Sequence, residues 1–86
     1  MKTIWKYPIE IHDLICIEMP KEAEILTVQS QKGIICIWAL VNTDNPTEQR
    51  RFRIYGTGNP VEFNGDYIGT FQIYNGDLIF HLFESK

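Results

Sequence analysis

All the arginines of this chain fall within four positions: Arg50, Arg51 and Arg53. The other positive charges (Lys2, Lys6, Lys21, Lys32 and Lys86) are scattered, and eleven acidic residues against eight basic ones leave a net charge of −3. A guanidinium presents parallel N–H donors that fork carboxylates and phosphates, so a compact arginine group in an acid-leaning chain suits one small anion or one acidic patch. Read as a strand, Arg51-Phe52-Arg53-Ile54-Tyr55 turns Phe52 and Ile54 toward a core and lines the opposite face with Arg51, Arg53 and Tyr55. Two guanidiniums about 7 Å apart on that face, followed by a phenol ring, match a phosphate with a planar base stacked beside it. Beyond them, Gly56-Thr57-Gly58-Asn59 forms a glycine-bracketed loop able to turn backbone N–H groups toward an anion. The expected ligand-binding residues are therefore Arg51, Arg53, Tyr55, Gly56, Thr57, Gly58 and Asn59. The plainer alternative is a charged strand edge that discourages edge-to-edge pairing.

Other chemistry finds little support. The serines are Ser30, in a turn, and Ser85, at the tail, and neither sits in a nucleophile elbow. The carboxylates are dispersed, and His12 beside Asp13 would face the opposite side of a strand. No catalytic residue is assigned, and the chain is not expected to be an enzyme. His12, Cys16, Cys36 and His81 have a spacing unlike compact zinc sites, so no metal or cofactor is expected. The negative net charge argues against general nucleic-acid binding, which draws its affinity from neutralised phosphates.

The elements that must hold these residues are strands. At 86 residues, 44% hydrophobic and 22% charged, the chain has the composition of one globular domain, residues 1–86, rather than a disordered or fibrous one. Helical periodicity is almost absent and strand-like alternation recurs throughout. Thr3–Tyr7 and Leu14–Glu18 read as strands stopped by Pro8 and by Met19-Pro20, with room for one helical turn near Pro20–Glu24. Asn75-Gly76 predicts a tight hairpin that sets Ile73 opposite Leu78, Phe71 opposite Phe80, Thr70 opposite His81 and Ile68 opposite Phe83. A three-residue turn at Gln31-Lys32-Gly33, which sets Val28 opposite Cys36 and Leu26 opposite Trp38, is preferred to a two-residue turn at Lys32-Gly33, which would pair Thr27 with Trp38. The expected fold is all-β, a small antiparallel meander of about six to seven strands closing into a barrel or sandwich.

The run Ile34–Val41 is apolar on both faces, with Ile34, Cys36, Trp38 and Leu40 on one and Ile35, Ile37, Ala39 and Val41 on the other. Both faces need a cover, because wetting several such side chains forfeits several kcal/mol at roughly 25 cal/mol per Å². The second face, assigned to Ile35, Ile37, Ala39 and Val41, is expected to be covered by a folded-over sheet or by a second copy in a homo-oligomer. No apolar run approaches the roughly 18 residues of a membrane span. The opening Met-Lys-Thr-Ile-Trp-Lys-Tyr-Pro lacks the core of a signal peptide, and Cys16 and Cys36 read as reduced thiols in a cytoplasmic setting.

That opening, together with Ile17-Glu18-Met19-Pro20, Trp38-Ala39-Leu40-Val41, Arg51-Phe52-Arg53-Ile54-Tyr55-Gly56-Thr57-Gly58 and Tyr67-Ile68-Gly69-Thr70-Phe71-Gln72, resembles a family of small uncharacterised proteins encoded by bacteriophages and prophages. The resemblance spans nearly the whole chain and brings no activity that transfers residue by residue. It implies an accessory phage protein in the bacterial cytoplasm, of the kind that opposes host defence. Sequestering a nucleotide-derived immune signal is the leading expectation. Inhibiting a host defence or nucleic-acid-binding protein through an acidic surface is the alternative, and a structural or packaging accessory is a third.

Overall fold

The computed structural model describes residues 1–62 and 64–85. Among these residues it has seven strands: β1 (Lys2–Ile9), β2 (Leu14–Pro20), β3 (Glu24–Gln31), β4 (Ile34–Asn42), β5 (Thr47–Gly56), β6 (Gly65–Ile73) and β7 (Leu78–Ser85). They form two antiparallel sheets, β1-β4-β3 and β2-β5-β7-β6. The all-β expectation holds, and of its two forms the chain takes the sandwich. Pro8 falls inside β1 instead of stopping it, and β2 runs two residues past Glu18 to end on Pro20; both strands lie at sheet edges, where a missing N–H breaks no ladder. The expected helical turn near Pro20–Glu24 is a plain turn with Glu22 at φ 66°.

Alternation along β4 decides where the core sits. Ile35, Ile37, Ala39 and Val41, all at 3% exposure or less, pack with Phe52, Ile54, Phe71 and Leu82 of the opposing sheet. The four residues that a second copy was a candidate to cover are thus covered by the chain's own second sheet, and they present no face to a partner. Cys16 is exposed on the outer side of the four-stranded sheet and Cys36 is buried on the outer side of the three-stranded one; both are free thiols.

Both hairpins contain a bulge that local alternation does not reveal. The β3–β4 turn has two residues, not three: Lys32 (φ 51°) and Gly33 (φ 81°) both take the positive φ of a type I′ turn, and Gln31 pairs with Ile34. Val28 therefore meets Ile37 instead of Cys36, and Thr27 instead of Leu26 meets Trp38. A bulge between Ile25 and Thr27 absorbs the one-residue change of phase, so Ile25 and Val28 both still face inward. In the β6–β7 hairpin, Asn75 and Gly76 have positive φ and Asp77 N–H donates to Tyr74 O at 3.1 Å. The pairs Ile73–Leu78, Phe71–Phe80 and Thr70–His81 form as expected. Ile68 does not meet Phe83, however, because a bulge between Tyr67 and Gly69 brings Tyr67 there instead. At that bulge β6 lies hard against β3: a Cβ on Gly69 would sit 2.9 Å from Val28 Cγ1.

Candidate functional site

Strand β5 separates the arginines by parity. Phe52 and Ile54 are buried, so Arg50 shares their inward side while Arg51, Arg53 and Tyr55 face outward. Arg50 is consumed structurally. Its Nε and Nη2 (2.9 Å) donate to the two carboxylate oxygens of Glu84, and its Nη1 donates to Ala23 O at 2.9 Å. The hydrogen bond to Glu84 holds this guanidinium charged even more firmly than usual, outweighing its partial burial.

The outward pair stands on a face of unusual makeup. Arg53 lies across from Leu14 on one side and Phe83 on the other, Arg51 across from Cys16, and Tyr55 across from His81. Phe83 meets Tyr55 edge-on at 5.9 Å between ring centroids and Tyr67 at 5.5 Å, so the three rings form a continuous patch beside the arginines. Arg51 is exposed and makes no ion pair among the described residues. His81 links the strands and the loop: Nε2 lies 2.8 Å from Thr57 Oγ1, Nδ1 lies 2.8 Å from Thr70 Oγ1, and Thr70 Oγ1 lies 2.6 Å from the Tyr67 hydroxyl. With the proton on Nε2, every donor is placed: Tyr67 to Thr70, Thr70 to Nδ1, Nε2–H to Thr57, and Thr57 to Ile79 O at 3.4 Å.

At the Tyr55 end of this face lies an open cleft of about 570 Å³, lined in part by Arg53, Tyr55, Gly56, Asn59, His12 and Asp13. Its size is within the range of small-molecule sites. Of the expected ligand-binding residues, Arg53, Tyr55, Gly56 and Asn59 reach the cleft, whereas Arg51, Thr57 and Gly58 do not line it. The loop is also less of an anion cradle than its glycines suggest. Thr57 N–H donates to Ile79 O at 3.3 Å and Asn59 N–H to Gly56 O at 3.1 Å, with Gly58 at φ 89° as a type II turn requires. Those amides close a turn; they do not point at a ligand. The cleft wall also carries two carboxylates, Asp13 and Glu62, opposite the single guanidinium of Arg53.

Sequence reasoning missed Tyr67 and Phe83 as parts of the face and the 11–13 segment as a cleft wall. The bulge at Ile68 hides Tyr67 from simple alternation. The 11–13 segment is brought in by a backbone bond, Ile54 N–H to Asp13 O at 3.3 Å, which no local signal announces. Among the described residues, no group of three or more His, Cys, Asp or Glu is placed to hold a metal, and no helix is long and apolar enough to cross a membrane.

Residues 1–86 match the profile of a family described as Domain of unknown function (DUF7352), and the chain belongs to that family. No curated protein and no solved structure matches it.

Proposed function

For this member of a family whose description carries no activity, we propose that the outer face of the four-stranded sheet binds a small phosphate-bearing ligand with a planar ring and holds it without changing it. One observation carries this reading: Arg53 and Tyr55, two positions apart on one face of β5, line the same cleft. In this reading Arg53 grips phosphate, Tyr55 stacks the ring, Gly56 and Asn59 wall the pocket, and exposed Arg51 extends the positive field along the strand. The biological setting that we propose is an accessory phage protein in the bacterial cytoplasm that sequesters a nucleotide-derived immune signal.

Calorimetry with a panel of mono-, di- and cyclic nucleotides and inorganic phosphate tests this. At least one nucleotide should release heat with the wild type, and Arg53→Ala should abolish it while the circular dichroism spectrum stays unchanged. No heat from any of the panel removes the proposal. A second reading, an inhibitor whose acidic surface occupies a basic site on a host protein, is favoured by Asp13 and Glu62 in the cleft wall. It predicts a silent panel and co-purification with one host protein, lost in Asp13→Lys.

A further inference from the structure

The sheet β1-β4-β3 buries one face in the core and carries no second layer on the other among the described residues. Following the ladder partners across this outer face, Ile4 of β1 lies beside Leu40 of β4, and Leu40 beside Glu24 of β3. The next row is Lys6, Trp38 and Thr27. The bulge in β3 matters here. Because Ile25 and Val28 both face the core, Leu26 and Thr27 both turn outward. A band of Ile4, Leu40, Trp38 and Leu26 therefore crosses all three strands, with Ile4 56% and Leu26 42% exposed. Farther along, Lys6 reaches over β4 to donate to Gln31 Oε1 at 2.8 Å. Its alkyl stem crosses the side of the sheet where Cys36 lies buried.

The charges at the two margins of this band have opposite sign. Lys2 and Lys6 stand on β1 at one edge, and Glu24 stands on β3 at the other. Two copies packed face to face can be related by a two-fold axis along the strands or across them. An axis across the strands lays the lysine-bearing edge of one copy over the same edge of its partner. An axis along β4 lays β1 over the partner's β3 without shifting positions along the strands, so that Glu24 of the second copy comes over Ile4, between Lys2 and Lys6, and the reverse, while Trp38 and Leu40 stack about the axis. Only the second arrangement joins unlike charges beside an apolar centre of Trp38 and Leu40, and it is self-complementary, as an isologous interface must be.

We infer that this outer face is a self-association surface, a two-fold dimer with its axis along β4. Three strands about 4.8 Å apart and some eight residues long at about 3.4 Å each offer roughly 400 Å² per copy. That is about half of a standard interface, so the dimer is weak and forms at high concentration. This inference does not depend on the ligand proposed above, whose residues occupy the other sheet.

Sedimentation of the full chain from low micromolar to near-millimolar concentration tests it. The wild-type mass should rise from 10.1 kDa toward twice that value. Ile4→Glu, and separately Leu26→Lys, alter exposed positions, so each should leave the circular dichroism spectrum intact and hold the chain monomeric throughout. Lys2→Glu alone and Glu24→Lys alone should each weaken the dimer several-fold. An equimolar mixture of these two variants should dimerise like the wild type, because both charge pairs are then attractive again. A wild type that stays monomeric overturns the inference, as does a dimer indifferent to both Ile4→Glu and Leu26→Lys. A mixture that fails to recover association rules out the axis along β4.

Discussion

Arg50 and Glu84 lie diagonally across adjacent strands on the inward side of the four-stranded sheet, and their forked hydrogen bonds, with a third from Arg50 to the Ala23 carbonyl, tie β5, β7 and the turn before β3 together. Both side chains are only 18% exposed, so truncating one leaves a desolvated charge behind. Arg50→Ala should lower stability by about 2–3 kcal/mol. Arg51→Ala, one position along and exposed, should change it by less than about 0.5 kcal/mol. Urea denaturation of the two variants separates the structural arginine from the surface one, and equal effects would contradict the assignment.

Tyr7 offers the reverse case. Its hydroxyl oxygen is buried with no hydrogen-bond partner among the described residues. Desolvation raises the phenol's pKa above its ordinary value. A raised acid pKa means that the unfolded chain ionises first, so this contribution to stability is whole below the ordinary tyrosine range near 10 and falls as pH climbs through the folded value. Tyr7→Phe should therefore match or exceed wild-type stability at neutral pH and show a shallower alkaline decline. A loss above about 1 kcal/mol at pH 7 would reveal a partner for the hydroxyl.

The contact between Gly69 and Val28 predicts an overpacking effect. A methyl on Gly69 would press within 2.9 Å of Val28 Cγ1 and reach the Val28 backbone at 4.0 Å. Gly69→Ala should cost about 1–3 kcal/mol. Combined with Val28→Ala, it should cost clearly less than the sum of the two single changes, since losing Val28 Cγ1 makes room for the new methyl and the methyl fills part of the void left behind. Strict additivity in thermal denaturation would show that the two strands do not meet here.

Two turns hold side chains in backbone conformations better suited to smaller residues. Lys32 (φ 51°) and Tyr74 (φ 52°) are both left-handed. Lys32→Asn, giving the Asn-Gly pair favoured in type I′ turns, and Tyr74→Asn should each raise stability by up to about 1 kcal/mol. A fall in melting temperature for Lys32→Asn would mean that the lysine side chain does more than occupy the turn.

Much of this architecture is visible in the chain alone. Alternation places Phe52 and Ile54 inside and Arg51, Arg53 and Tyr55 outside, and the structure agrees. Asn75-Gly76 specifies its hairpin through positive φ, and Thr70 meets His81 because that register follows from the turn. The same rule also holds the information about Arg50, which shares the parity of Phe52; its link to Glu84 was not legible, because the partner lies on a strand far along the chain. The candidate site was legible only in part. Arg53 and Tyr55 follow from β5 itself, whereas Asp13, Tyr67 and Phe83 arrive from other strands and loops.

The division has a physical origin. A period of two is local, since successive Cβ atoms must point to opposite sides of a pleated strand, so residue order alone determines the strands, their two faces and the tight turns. A bulge shifts that phase by one residue and is favoured at sheet edges, which tertiary pairing defines, as at Leu26 on edge strand β3 and Ile68 on edge strand β6. Which apolar face of β4 became the core was likewise undecidable from composition, because both were equally apolar. The answer came from the second sheet, which folds over Ile35, Ile37, Ala39 and Val41 and leaves Trp38 and Leu40 on the outside.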